Sequence, residues 1–150
     1  RAEIKVVLLV FILKGFISFN TARIEKKVAN TTTSTFIDTL EELHIRFPQV
    51  VLAQMIHETA MFSSVIYKEN HNCVGMKWNN RGYATGVNRG HAKYPNVWEC
   101  LHDYADWQAK YCPDSIKSNE EYIDWLKNFG YAEDPNYKKH ILRTLKLFIQ

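Results

Sequence analysis

The sequence predicts a mainly α domain with one small β excursion, and three observations predict it. Apolar residues recur at helical spacing in five separate stretches, several of them bounded by residues that start or stop helices. One glycine-rich interval, between Gly75 and Tyr94, interrupts them and is the only place where a hairpin or long irregular loop is expected. Apolar residues fill 46% of the 150 positions and aromatics 13%, which suits one packed core and excludes a disordered chain.

Taken in order, Arg1 and Lys5 lead into an apolar run from Val6 to Leu13, resumed after Lys14-Gly15 as far as Phe19. This has the outline of a signal sequence or short membrane anchor over residues 1–19. The lysine and the shortness of the run leave a buried core helix as the alternative, and export is the favoured reading. Residues 20–35 are polar and end in Asn30-Thr31-Thr32-Thr33-Ser34-Thr35, a linker composition, so the globular domain is placed at 36–150. Phe36, Ile37, Leu40 and Leu43 mark a first helix. Pro48 stands where the first turn of a second would begin, running from Gln49 through Phe62.

After the glycine-rich interval, Trp98, Leu101, Tyr104 and Ala105 mark the next helix. Ser118-Asn119-Glu120-Glu121 reads as a capping box before Tyr122, Leu126 and Phe129, with Gly130 as the stop. Asp134-Pro135 then opens a last helix carrying Ile141, Leu142, Leu145 and Phe148. No internal repeat is visible.

A formal charge of +3 is a mild basic bias, and Lys and Arg occur in pairs rather than runs, so nucleic-acid binding is not expected. The three cysteines, Cys73, Cys100 and Cys112, show no C-x-x-C spacing, so no metal is expected. One disulfide with a free thiol, or three unpaired thiols buried as small apolar residues, explain the count equally.

Chemistry is carried by the stretch Val50 to Ala60, an apolar helix interrupted by one carboxylate, Glu58. Burying a carboxylate raises its pKa and makes a general acid that stays protonated near neutrality. Gln54, Glu58 and Phe62, spaced by four, share one face of the expected helix, so the glutamate would look out beside an amide and a ring. His57-Glu58 does not continue as H-E-x-x-H, because Met61 stands where the second histidine would be.

Leu52-Ala53-Gln54 followed by His57-Glu58-Thr59 resembles the A-Q-x-x-x-E-S helix of the bacterial glucosaminidases, glycoside hydrolase family 73, with Thr59 for the serine. Fourteen residues on, Asn72-Cys73-Val74-Gly75-Met76-Lys77 resembles that family's N-L-F-G-I-K segment. Tyr94 to Tyr104 is similar to its Y-D-S-x-E-E-S-x-x-D-Y block, and Gly130-Tyr131-Ala132-Glu133-Asp134-Pro135-Asn136-Tyr137 to its G-Y-A-T-D-P-x-Y. The resemblance spans roughly Phe36 to Leu145.

It implies a lysozyme-like helical fold, of mainly α (α+β) class, and hydrolysis of the β-1,4 bond between N-acetylglucosamine and N-acetylmuramic acid in peptidoglycan glycan strands. Glu58 would be the acid, with no cofactor. Gln54, Asn72, Tyr131 and Tyr137 would contact substrate, with Trp78 and Tyr83 on the opposite wall. Family members often carry a second glutamate in the β excursion, but here the interval from Trp78 to Tyr94 has none. Asp103, Glu69 and Asp134 are the nearest candidates, with Asp134 also read as a helix cap; the substrate's acetamido group is the alternative. The same fold and single glutamate also fit a muramidase, a lytic transglycosylase or an inactive peptidoglycan-binding module. The expected protein is a monomer exported to the periplasm, envelope or exterior, with membrane association only through its N-terminal segment; without a working signal, a phage-encoded version would be cytoplasmic.

Overall fold

The computed structural model describes residues 34–78 and 80–149, so the expected export segment and nearly all of the expected linker lie outside the described residues. Residues 36–150 form a compact unit of their own, separate from residues 1–35. Among the described residues no helix is long and apolar enough to cross a membrane.

The helix α1, described over residues 34–42, ends at a turn in which His44 takes a left-handed backbone. Next comes α2 (Pro48–Glu58), with proline in its first turn, where the missing N–H has no partner to lose. Its residues Val50 to Ile56 are all buried, as a helix apolar on every side demands. It is the axis of the core, packed against α5 (Asn119–Phe129) and α6 (Tyr137–Phe148).

α2 stops at Glu58, one turn earlier than the apolar pattern suggests. Ala60, Met61 and Phe62 all have left-handed backbones, and the buried Thr59 fixes the turn by donating from Oγ1 to the Met55 carbonyl (2.6 Å) and accepting from the Phe62 N–H (2.7 Å). Phe62 is therefore not on the face of Glu58; it stacks on Phe36 at 5.0 Å. Val65–Asn70 forms the short α3, capped by Ser64.

The glycine-rich interval forms a small antiparallel hairpin, β1 (Gly86–Asn88) and β2 (His91–Lys93), with Val87 opposite Ala92. α4 (Val97–Tyr111) follows, capped by Asn96, and buries Cys100, Leu101, Asp103, Tyr104, Trp107 and Gln108. α5 begins with the expected capping box, Ser118 with Glu121, and ends on Gly130 at φ 79°. α6 starts three residues after Asp134, whose carboxylate caps the preceding turn by accepting from the Asn136 N–H (2.8 Å).

A buried polar chain joins three helices to the loop before α2. Tyr104 donates to Gln54 Oε1 (2.8 Å), which cannot itself donate, so the proton between the phenols (2.6 Å) comes from Tyr122, which in turn accepts from Gln108 Nε2 (2.8 Å). Gln108 also brackets Arg46, accepting from its N–H at 2.7 Å and donating to its carbonyl at 3.0 Å. Such a chain fixes one arrangement of the core, because each broken link would strand a buried polar group.

Candidate active site

Ending α2 at Glu58 places the one acidic residue of that helix where it leaves the core, on the floor of a cleft of about 420 Å³. His57, Gly75, Lys77, His91, residues 130–134 and Tyr137 complete the lining. A second hollow of about 230 Å³ shares Gly75, Lys77, Gly130 and Tyr131 with it and adds Met76, Trp78, Arg81, Trp107 and Phe129. The two form one groove running past the carboxyl group.

Burial pushes the Glu58 pKa from its usual 4.5 up to about 7, against the opposing charge of Lys77. The position at the negative end of the helix dipole works in the same direction. One neighbour approaches very closely: a Cβ on Gly75, at φ +74°, would lie 3.0 Å from Glu58 Oε2 and 3.3 Å from its Cδ. Only glycine allows both that backbone and that approach.

The loop that carries Gly75 is held by Asn72. Its amide donates to the Met76 carbonyl (2.8 Å) and the Ala92 carbonyl (2.9 Å), and its Oδ1 accepts from the Met76 N–H (3.0 Å). Asn72 is 2% exposed, so it frames the site from beneath and does not face substrate as the resemblance suggested. Gln54 is corrected likewise: it is fully buried and its carbonyl is occupied by Tyr104. An interior position one turn before the end of α2 leaves it no route to the cleft.

Tyr131 lines both hollows with its ring, while its hydroxyl donates to the Val74 carbonyl (2.6 Å), tying the turn after α5 to the Gly75 loop. Tyr137 lines the cleft from the start of α6 with its hydroxyl buried; burial, then the nearby Glu58 charge, raise its pKa against an opposing hydrogen bond with Gln54. Trp78, 47% exposed, lines the second hollow. Tyr83 does not line either hollow: it donates to Asp106 (2.5 Å) and stacks on His102, both on α4.

Of the three acids considered as partners for Glu58, two are committed elsewhere. Asp103 is buried under an ion pair with Arg81 and accepts from the Tyr94 hydroxyl (2.6 Å). Glu69 holds the hairpin, accepting from Asn88 (3.1 Å) and pairing with Arg89 (3.3 Å). Asp134 does line the cleft, but one oxygen caps the turn and the other lies 3.4 Å from His140.

His57, Lys77, His91 and Glu133 belong to the lining and were not singled out from sequence. His57 stacks on His140 at 5.2 Å, and burial, then the His140 charge, lower its pKa against the pull of Asp134. Its adjacency to Glu58 was the available signal. The other three come from the Gly75 loop, from β2 and from the turn after α5, which only the fold brings together. Among the described residues no group of three or more His, Cys, Asp or Glu side chains could hold a metal ion.

The structure is similar to the catalytic domain of the autolysin Auto from Listeria monocytogenes, with a TM-score of 0.58 at 18% identity, covering 82% of this chain and 84% of that one. At that identity the likeness establishes the helical, lysozyme-like fold. No curated relative matches the chain. The family described as mannosyl-glycoprotein endo-beta-N-acetylglucosaminidase matches over residues 33–148, from α1 to the end of α6 and with Glu58 and its whole cleft inside the match. The chain therefore belongs to the glucosaminidase family of glycoside hydrolases.

Proposed function

We propose that the protein hydrolyses peptidoglycan glycan strands at the β-1,4 bond between N-acetylglucosamine and N-acetylmuramic acid, with Glu58 as general acid. The observation that carries this reading is a carboxyl group on the floor of an open groove, its pKa raised to about 7 by burial, in a chain of glucosaminidase family. Such a group holds its proton until the leaving oxygen needs it. An extended chain of sugars would run along the groove, with Trp78 and Tyr131 beside it and Tyr137 next to the acid. The similar Listeria protein is an autolysin, and in this reading the enzyme would work in the envelope or outside the cell, where peptidoglycan lies.

Purified peptidoglycan digested with the wild type and with Glu58→Gln tests the reading. Soluble fragments with N-acetylglucosamine at the new reducing end, released by the wild type alone, are the expected result. Muramic ends would make the enzyme a muramidase, and anhydromuramic ends a lytic transglycosylase. Binding without release by either protein would leave a wall-binding module.

A further inference from the structure

Glycoside hydrolysis with Glu58 as acid calls for a second carboxylate to activate water, and the cleft lining offers candidates for it. Three carboxylates line it, Glu58, Glu133 and Asp134, and two of them have defined tasks. Glu58 is the buried acid. Asp134 has one oxygen on the Asn136 N–H at 2.8 Å and the other 3.4 Å from His140.

Glu133 is different. It is exposed on the cleft wall and makes no hydrogen bond or ion pair among the described residues. Its backbone is nevertheless held on both sides. Gly130 closes α5 in a left-handed conformation, the Tyr131 N–H donates to the Leu126 carbonyl (3.1 Å), and the Tyr131 hydroxyl is tied to Val74. On the other side the Tyr137 N–H donates to the Asp134 carbonyl (3.0 Å) and the Asp134 carboxylate closes the turn. A carboxylate with no structural partner, on a turn pinned at both ends, facing the same cleft as a protonated glutamate, is arranged for work on a substrate.

We propose that Glu133 is the second catalytic carboxylate, the base that takes a proton from the attacking water; this rests on the glycosidase reading given above. As the bond between the anomeric carbon and the glycosidic oxygen breaks, that oxygen takes the Glu58 proton. Water adds to the anomeric carbon and gives its proton to Glu133. One water is consumed and two hydroxyl groups replace the glycosidic link, and exchange with solvent returns both carboxyls to their starting states.

The test uses peptidoglycan turnover by the wild type, Glu133→Gln and Asp134→Asn, with and without sodium azide. Glu133 is exposed, so its glutamine variant is expected to keep the wild-type melting temperature. Its turnover should fall roughly 100-fold or more, the range for loss of a general base. Azide needs no base: it adds to the anomeric carbon directly, so it should restore fragment release in Glu133→Gln and leave glycosyl azide ends visible by mass spectrometry. A residue with only a structural role would not give the azide product. Near-normal turnover in Glu133→Gln, or azide rescue confined to Asp134→Asn, would overturn the assignment while leaving the glycosidase reading intact. An inert wild type would instead refute that reading and this inference with it.

Discussion

Replacing Glu58 with glutamine should stabilise the protein at neutral pH and leave it nearly unchanged in acid. The folded-state pKa of about 7, against 4.5 for the ordinary side chain, means that the native protein holds this proton more tightly than the unfolded chain does. The resulting stabilisation is complete below the unfolded value of 4.5 and is lost as pH rises through about 7. At about 1.4 kcal/mol for each tenfold change in proton affinity, the full effect is about 3 kcal/mol, and solvent in the open cleft reduces it to about 2 kcal/mol. The amide stays neutral throughout. The stability of Glu58→Gln minus that of the wild type should therefore grow by about 2–3 kcal/mol between roughly pH 4.5 and pH 8.

Urea unfolding of both proteins at several pH values measures this directly, and other titrating groups largely cancel in the difference. In thermal melts the same change is worth roughly 10 °C at neutral pH for a domain of this size. A difference that stays constant within about 0.5 kcal/mol over that range would refute the reasoning, because it would mean that Glu58 ionises as a solvated carboxylate does.

Three further expectations follow from the same geometry. Wild-type kcat/KM on peptidoglycan should decline about tenfold per pH unit above a midpoint near 7, as Glu58 loses its proton, which a pH-rate profile reads. Gly75→Ala should cost about 1–2 kcal/mol from its left-handed backbone and lose activity out of proportion to stability, since the new Cβ would press on Glu58 Oε2 from 3.0 Å; parallel melts and turnover assays separate the two. Arg81→Ala should destabilise by about 3–5 kcal/mol by leaving the Asp103 carboxylate, 1% exposed, without its ion-pair partner, and Arg81→Ala with Asp103→Asn should recover part of the loss in urea unfolding.

Much of the fold was legible because it rests on local signals. The capping box at Ser118, the stop at Gly130 and the proline opening α2 are each satisfied within one turn of chain, so a few residues suffice to announce them. Glu58 was legible for a related reason: a lone carboxylate two residues past a run of seven buried ones, on the same helix, conflicts with the pattern around it, and such conflicts point to function. The end of α2 was misread because Phe62 continues the four-residue spacing. Thr59 turns the chain with two hydrogen bonds of its own, a feature that periodicity does not register.

The sequence by itself determined a helical domain with one hairpin or loop excursion, the single acid on the central helix and, through its motifs, the family. Only the tertiary structure decided what each neighbour of that acid does. Asn72 and Gln54 stand in the motifs as site residues, yet both are buried inside the fold, the Asn72 amide bracing the Gly75 loop and the Gln54 carbonyl ending a chain of buried phenols. Glu133 and Lys77 stand far apart in the chain and meet in one cleft. The physical reason is that caps and periodicity are set by residues three or four positions apart, whereas burial, pKa and access to a cleft depend on which distant segments pack together.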